Sequence, residues 1–414
     1  MNAPVSPDPL GDPWTMPIDQ IDVSNAKIFV HDVWPDWFAR LRRDDPVHFF
    51  ADSQFGPFWS VTKYKDIMKV ETNPQVFSSA SGITLLDQET QYRLAMFIAM
   101  DPPKHDVQRL VVAPIVAPGN LALMADTIRE RVVRILDGLP RGETFDWVEH
   151  VSIELTTQML ATLFDYPFEK RRDLTYWSNV ATTNFADRNA LVKNEEERFT
   201  ELKKMAAAMM GLWNERVNKP GGNDLISMLA HGEATRTMDP MEFMGNCVLL
   251  IVGGNDTTRN SISGGLLALN RHPAEYQKLR ENPGLIPTMV PEIIRWQTPL
   301  CYMRRTALSD YELGGKTIKA GDKLAMWYIS GNRDAEAIED PDRFIIDRAR
   351  PRQHLSFGFG IHRCVGNRLA ELQLTILWEE IMKRFPVIEV VEEPERVFSS
   401  FVHGIASMKV RIPG

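Results

Sequence analysis

The sequence is poor in cysteine and contains no long apolar run. Its 414 residues include three cysteines, Cys247, Cys301 and Cys364, and no two of them form a Cys-x-x-Cys pair. Three thiols cannot all be paired in disulfides, which favours a reducing compartment and argues against a cysteine-rich zinc site. The apolar run at 247–252 is far too short to cross a bilayer, so we predict no membrane span.

An excess of basic residues and an export signal are also missing. Lys and Arg total 47 against 55 Asp and Glu, and the resulting net charge of −8 gives no support for general nucleic-acid binding. The first ten residues are polar and rich in proline, unlike a signal peptide, so we expect a cytoplasmic protein. Without repeats or long linkers, the pattern predicts a mobile amino-terminal segment at 1–20 and a single domain at 21–414.

Helical periodicity dominates the rest of the chain. Helices are predicted at 120–139, 151–164, 194–217, 241–271, 273–281 and 291–297. Strand patterns are short: a pair at 48–50 with 58–61, a hairpin at 311–318 followed by a strand at 323–327, and a pair at 387–391 with 408–412. The expected fold is therefore mainly α with small peripheral β-sheets.

The stretch 357–366, of sequence FGFGIHRCVG, carries the strongest chemical signal. It places Cys364 in a glycine-punctuated turn, between cationic neighbours and just before a helix-forming run. A helix amino terminus and nearby cations stabilise a thiolate, and glycines allow the backbone to approach a flat ligand closely. Taken alone, Cys364 is as well explained by a small buried thiol as by a metal ligand.

A second signal lies inside the long helical pattern at 241–271. The segment from Gly253 to Thr258 has poor helix propensity between strongly apolar flanks. It predicts a kink or bulge in a buried helix, with a threonine hydroxyl bonded to a carbonyl one turn earlier. The alternative is a loop between two ordinary helices.

Three weaker pairs follow a fixed order around these signals. His105 and Arg109 are one helical turn apart, and Glu292 and Arg295 are three residues apart. Each pair alone is more often an exposed surface pair than a site. Arg343 follows in the sequence PDRF, ahead of the cysteine loop.

The ordered set resembles the cytochrome P450 family over nearly the whole chain, which implies the cytochrome P450 fold. The resemblance makes Cys364 the axial ligand of a haem b iron (iron protoporphyrin IX). It implies a structural network of Glu292, Arg295 and Arg343. The resemblance implies that Arg305 binds a haem propionate, with the adjacent Arg304 as the alternative. The implied cofactor-binding residues are His105, Arg109, Arg305, His362, Phe357, Gly358, Gly366 and Gly253.

The resemblance also implies a monooxygenase that uses O2 and two electrons, with Asp256 and Thr257 as the catalytic pair that manages protons. The stretches 248–260, 115–120 and 354–367 look closest to family members that hydroxylate alkanes and fatty chains at or near the terminal carbon. The implied substrate-binding residues are Ile83, Leu85, Phe97, Leu249, Val252, Cys301, Met303, Phe401 and Val402. A terpenoid, a steroid or another cyclic hydrophobe is the alternative substrate.

The chain shows no flavin or nicotinamide domain, so electrons are expected from a partner. Arginines cluster around the cysteine loop, and Arg350, Arg352 and Arg363 are the candidate docking residues for a 2Fe–2S ferredoxin reduced by an NAD(P)H-dependent flavin ferredoxin reductase. A solvated arginine-rich loop is the simpler interpretation of the same cluster. The remaining alternatives are a peroxide-using haem-thiolate enzyme, a haem-based sensor or carrier, and a metal-free helical binding protein.

Overall fold

The computed structural model describes residues 10–414, so residues 1–9 of the predicted amino-terminal segment lie outside the described residues. Helices make up most of the described chain. Their bounds are α1 (Ala26–Val30), α2 (Trp34–Asp44), α3 (Tyr64–Glu71), α4 (Lys104–Val112), α5 (Pro118–Asp137), α6 (Glu154–Phe164), α7 (Arg172–Thr182), α8 (Glu195–Arg216), α9 (Leu225–His231), α10 (Pro240–Arg271), α11 (Pro273–Glu281), α12 (Ile286–Gln297), α13 (Tyr328–Gly331) and α14 (Asn367–Arg384).

The strands form small sheets at the periphery. They are β1 (Val47–Phe50), β2 (Phe58–Val61), β3 (Phe77–Ser78), β4 (Thr144–Asp146), β5 (Tyr302–Ala307), β6 (Tyr311–Leu313), β7 (Lys316–Ile318), β8 (Lys323–Trp327), β9 (Glu389–Val390), β10 (Glu395–Arg396), β11 (Ile405–Ser407) and β12 (Lys409–Arg411). The largest sheet has the order β1-β2-β8-β5-β3, with β2 and β8 parallel and its other pairs antiparallel. This confirms a mainly α fold with small sheets.

The 32-residue helix α10 forms the centre of the molecule. Its amino terminus is capped by Asp239, whose carboxylate accepts from the backbone N–H groups of Met241 and Glu242, and Pro240 occupies the first turn. The helix contacts α6, α7, α8 and α12, so most of its faces are buried. The helix is unbroken from Pro240 to Arg271. Packing on both sides therefore holds the segment from Gly253 to Thr258 in helical form despite its poor helix propensity.

Helix α14 packs against α5 and α12 and thereby fixes the position of the loop that precedes it. Its buried residues, including Leu374, Leu377 and Trp378, belong to the same hydrophobic cluster as α5, α10 and α12. The cysteine loop therefore lies between a well-packed helix and the edge of the core.

The described part of the amino-terminal segment contacts α2. Arg40 donates to the carbonyl of Trp14 at 2.7 Å, and the guanidinium of Arg43 lies 4.8 Å from the centre of the Trp14 ring. Residues 10–20 are thus placed by contacts with a helix of the main body.

Each predicted helix has an observed counterpart whose bounds agree to within three residues, except at one helix start. The predicted strands correspond to β1 with β2, to the β6–β7 hairpin followed by β8, and to β9 with β12, and β8 pairs with β2 and β5. Helix α12 begins at Ile286, whereas Pro291 was expected to begin it. Pro287 already supplies the proline of the first turn, and Pro291 lies inside the helix, where it removes one backbone donor. The carbonyl one turn before Pro291 belongs to Pro287, so the missing bond falls within the first turns of the helix.

Within residues 10–414, no single helix has the length and apolar character needed to cross a membrane. One bent pair, Lys104–Val116 with Pro118–Asp137, meets that test of length and composition with a bend of 47°.

Candidate functional site

The loop before α14 holds Cys364 in a closed turn. The backbone N–H of Cys364 donates to the carbonyl of Phe357 at 2.8 Å, which ties the two ends of the loop together. Gly358 and Gly360 have φ angles of +64° and +66°, in the left-handed region where a side chain is strained. A Cβ atom at Gly360 would also overlap the carbonyl of Glu71, so this turn requires glycine there.

The sulfur of Cys364 is surrounded by groups that favour its anion. Burial raises the pKa of the Cys364 thiol, while backbone hydrogen bonds from Gly366 and Asn367 and the charges of Arg109 and Arg363 lower it. Gly366 immediately precedes α14, so these N–H groups are the unpaired donors of a helix amino terminus. Burial also raises the pKa of the Cys247 and Cys301 thiols, but within residues 10–414 no arginine charge offsets it for either of them.

A cavity of about 1040 Å³ lies over Cys364. Its wall is mainly apolar and includes parts of α10, the 80–100 segment, the start of β5 and the 399–401 segment. The expected cofactor and substrate residues found in this wall are His105, Arg109, Arg305, His362, Phe357, Gly358, Gly366, Gly253, Ile83, Phe97, Leu249, Val252, Met303 and Phe401. Gly253 has open space where a Cβ would stand.

Two histidines meet at the wall of this cavity with unused ring nitrogens. The rings of His105 and His362 are 4.2 Å apart in an edge-on arrangement. Nδ1 of His105 lies 2.7 Å from Asp106, and Nε2 of His362 lies 3.0 Å from the hydroxyl of Ser79. Their other nitrogens, Nε2 of His105 and Nδ1 of His362, are buried and have no hydrogen-bond partner within residues 10–414. Such atoms fit a polar ligand held in the cavity.

The cavity wall also carries adjacent arginines on β5 with different partners. Arg305 donates to the carboxylate of Glu71 at 2.7 Å, and both side chains are almost completely buried. Arg304 pairs instead with Asp87 at 2.5 Å, and that carboxylate is largely exposed. Positive charge from Arg305 is a cause, after burial, of the lowered pKa of His362, so Arg305 and His362 belong to one region of the wall.

Helix α10 presents a threonine to the cavity but turns the neighbouring carboxylate away. The hydroxyl of Thr257 donates to the carbonyl of Gly253 at 3.0 Å, and both residues line the cavity. Asp256 is 1% exposed, does not line the cavity, and forms an ion pair with Arg259 at 2.9 Å. Thr182 lines the cavity, and its hydroxyl donates to the Asp256 carboxylate at 3.2 Å. Asp256 therefore contacts the cavity wall through Thr182.

Three residues expected in the substrate pocket, Leu85, Cys301 and Val402, do not line the cavity; this corrects the sequence prediction. Each is nearly or fully buried on the opposite side of its segment, and in each case a direct chain neighbour lines the cavity instead. Successive side chains of an extended backbone point to opposite sides, so a shift of one residue moves a side chain out of the pocket.

The structure also corrects the prediction that Arg343 joins Glu292 and Arg295 in the structural network. Glu292 forms a two-point ion pair with Arg295, at 2.7 and 2.8 Å, and its second charge partner is Arg348 at 3.0 Å. The Arg343 side chain is 72% exposed and pairs with Asp340. Arg343 contributes only its carbonyl, which accepts from Arg295 and Arg348. The local turn at 340–348 directs Arg348 inward, and the sequence pattern gives no sign of this.

The expected docking arginines all lie on the surface. Arg350, Arg352 and Arg363 are exposed, and Arg352 pairs with Glu371 at 2.8 Å. Arg350 and Arg363 have no carboxylate partner in the described part of the chain. Arg363 precedes Cys364 in the chain, and its positive charge is one of the causes that lower the pKa of the Cys364 thiol.

Sequence reasoning missed the residues that support the site from other elements. Glu71 at the end of α3 accepts from Arg305 and from the hydroxyl of Tyr328 at the start of α13, and Thr182 at the end of α7 donates to Asp256. Their positions in the sequence are far from the motifs, and single Glu, Tyr and Thr residues give no pattern that marks them.

Comparisons with known proteins agree with this geometry. A profile of the cytochrome P450 family matches residues 284–411. Linalool 8-monooxygenase of Pseudomonas putida is 35% identical over 95% of this chain and 99% of its own, and the methyl-branched lipid omega-hydroxylase of Mycobacterium tuberculosis is 32% identical over 96% of each.

Solved structures are more similar still. CYP153D17 from Sphingomonas sp. PAMC 26605 is 50% identical with a TM-score of 0.91, over 96% of this chain and 100% of that one. Cytochrome P450-153 from Novosphingobium aromaticivorans is 47% identical with a TM-score of 0.89, over 95% and 99%.

Cys364 is exposed and lines a large, mainly apolar cavity, and the relatives of this chain include named monooxygenases, so the protein is a haem-thiolate monooxygenase. The chain belongs to the cytochrome P450 family. It therefore uses haem iron and O2, takes electrons from a redox partner and acts on a hydrophobic substrate.

Proposed function

We propose that the enzyme hydroxylates an alkane or a fatty chain at or near its terminal carbon. The observation that carries this proposal is the mainly apolar wall of the cavity above Cys364, formed by Leu249, Val252, Met303 and Phe401 among others. One relative supports it by name, since it is a methyl-branched lipid omega-hydroxylase. The two solved neighbours, at 47% and 50% identity, both carry the P450 subfamily number 153, and we propose that this chain shares their substrate class. The linalool 8-monooxygenase relative favours a terpenoid as the second candidate.

The two candidates are separated by comparing substrates of similar size. We expect a linear chain of medium length to give mainly the terminal alcohol, measured by gas chromatography, with a higher kcat/KM than linalool or a steroid. A higher kcat/KM for linalool or for the steroid would contradict the proposal of terminal hydroxylation of a linear chain. It would leave the family assignment intact.

The residues of the site fit haem b. Cys364 supplies the thiolate, and Arg109, Arg305 and His362, with His105, would hold the two propionates, because carboxylates require charged and directional donors. The unpaired ring nitrogens of the two histidines are the structural observation that supports this fit. Bound haem supplies the O2 chemistry, and the thiolate donates electron density that favours O–O cleavage.

We propose that protons reach the cavity through Thr257 and Asp256. Thr257 lines the cavity, and because its hydroxyl donates to the Gly253 carbonyl, its oxygen is left to accept a hydrogen bond from a water molecule there. Asp256 is held away from the cavity by Arg259, so its carboxylate must rotate, or act through the hydroxyl of Thr182, to deliver a proton there.

Thr257→Ala is expected to divert electrons from product to hydrogen peroxide while haem content stays normal. The alanine keeps the helix but removes the hydroxyl that organises the proton donor. The measurement is product formed per NAD(P)H consumed, together with peroxide released. Thr257→Ser retains a hydroxyl and is the matched control, expected to remain coupled. Equal coupling in the Ala and wild-type enzymes would contradict the role of Thr257.

We propose that electrons come from a 2Fe–2S ferredoxin reduced by an NAD(P)H-dependent flavin reductase, and that the ferredoxin docks over Arg350, Arg352 and Arg363. The support is electrostatic. These exposed cations lie in the segment that leads to Cys364, and Arg350 and Arg363, which have no carboxylate partner within residues 10–414, can meet carboxylates of an acidic partner.

Arg363→Glu is expected to raise the KM for ferredoxin at least about tenfold at low salt, since the reversal replaces attraction with repulsion at the docking face. The rate of haem reduction as a function of ferredoxin concentration, followed by stopped-flow at several ionic strengths, measures this change in KM. The control is Arg343→Glu, which reverses the charge of another exposed arginine, farther along the chain from Cys364. It should have little effect on the KM for ferredoxin. An equal effect of the two reversals would indicate a general charge effect and contradict a specific docking face.

We propose, finally, that residues 21–414 form one haem domain. One hydrophobic cluster contains residues from Leu94 to Ile412, and two smaller clusters join residues 21–85 to residues 301–355, so both ends of the range pack with its later part.

A further inference from the structure

A buried carboxylate with no role in the family motifs lies beside the cysteine loop. Glu71 ends α3, is 3% exposed, and accepts from Arg305 at 2.7 Å. Its second oxygen accepts from the hydroxyl of Tyr328, which lines the cavity. Burial, followed by the Glu71 charge, raises the pKa of Tyr328, so the phenol stays protonated and remains a donor.

Glu71 also contacts the loop directly. A Cβ added at Gly358 would lie 3.4 Å from both the Glu71 carboxylate and the Tyr328 hydroxyl, and one added at Gly360 would overlap the Glu71 carbonyl. Both glycines belong to the turn closed by Cys364. The carboxylate is therefore fixed relative to the loop as well as to Arg305.

The electrostatic setting of Glu71 differs from that of the other acid near the β5 arginines. Asp87 pairs with Arg304 and Lys323, and its side chain is 61% exposed, so water screens its charge. The Glu71 side chain is 1% exposed and lies in a region of low dielectric, where a charge acts more strongly over the same distance. Burial of this charge requires the two donors that it has.

We propose that Glu71, held by Tyr328, positions Arg305 toward the haem propionate and keeps the reduction potential of the haem iron low. The inference rests on the proposed haem site. When ferric iron takes one electron from reduced ferredoxin to become ferrous, the site gains one negative charge. A fixed carboxylate nearby opposes that gain, and it also neutralises part of the positive charge of Arg305.

The test is the midpoint potential of the haem in the purified holoenzyme, measured by spectroelectrochemical titration. Glu71→Gln removes one buried negative charge at nearly constant shape and is expected to raise the potential. Asp87→Asn removes one exposed charge beside the neighbouring arginine and is the matched control, with a shift several-fold smaller. Equal shifts, or no shift in Glu71→Gln, would overturn the proposal.

Tyr328→Phe gives a second test, in which the midpoint potential should shift in the opposite direction. This test can be made even if Glu71→Gln does not fold. Loss of the hydroxyl leaves the Glu71 charge less compensated, so the potential should fall. A rise, or an unchanged potential in well-folded holoenzyme, would contradict the proposal. A protein that binds no haem at all would instead overturn the proposed function, so the two failures are distinguishable.

Discussion

Cys364→Ser is expected to reduce substrate hydroxylation to background while the protein keeps its fold. Serine matches the cysteine in shape, so the turn closed by the backbone bond to Phe357 remains possible. Its hydroxyl stays neutral, however, and lacks the electron donation of a thiolate to iron. Product formation with ferredoxin and reductase, compared with thermal unfolding of the same preparation, measures the effect.

The matched control for this change is Cys301→Ser. Cys301 is fully buried and does not line the cavity, so its replacement should lower stability without removing activity. Full activity in Cys364→Ser, or an equal loss in both variants, would show that Cys364 is not the ligand.

Glu292→Gln is expected to destabilise the protein by about 3–5 kcal/mol, because it leaves two buried guanidinium groups without their carboxylate. Arg295 and Arg348 are 1% and 8% exposed at their side chains, so water cannot replace the lost partner. Equilibrium unfolding in urea measures the change, and haem content should fall with it.

Asp340→Asn provides the comparison for Glu292. It removes the exposed partner of Arg343, and exposed ion pairs contribute little to stability. If the two variants lost similar free energies of unfolding, the buried network would not be the element that stabilises this region.

The sequence is informative where a motif is local. The turn at Cys364 could be predicted because its glycines, its cations and the helix that follows are consecutive in the chain. The hydroxyl of Thr257 bonds to Gly253 as predicted, since a helix brings these two residues together over one turn. The mainly α architecture follows from periodicity in the same way.

The sequence is less informative where the answer depends on which way a side chain turns. Leu85 and Val402 are one residue away from positions that line the cavity, and Arg348 takes the place expected for Arg343. Asp256 adjoins Thr257 but is drawn away from the cavity by Arg259. Glu71 could not be found at all, because its partners are more than 230 residues away in the chain.

The carbon-monoxide difference spectrum of the reduced protein tests the central claim most directly. Thiolate ligation by Cys364 predicts a Soret band shifted to longer wavelength than that of histidine-ligated haem proteins. A well-folded preparation that gives no such band, or gives it equally in the Cys364→Ser variant, would contradict the assignment of a haem-thiolate monooxygenase.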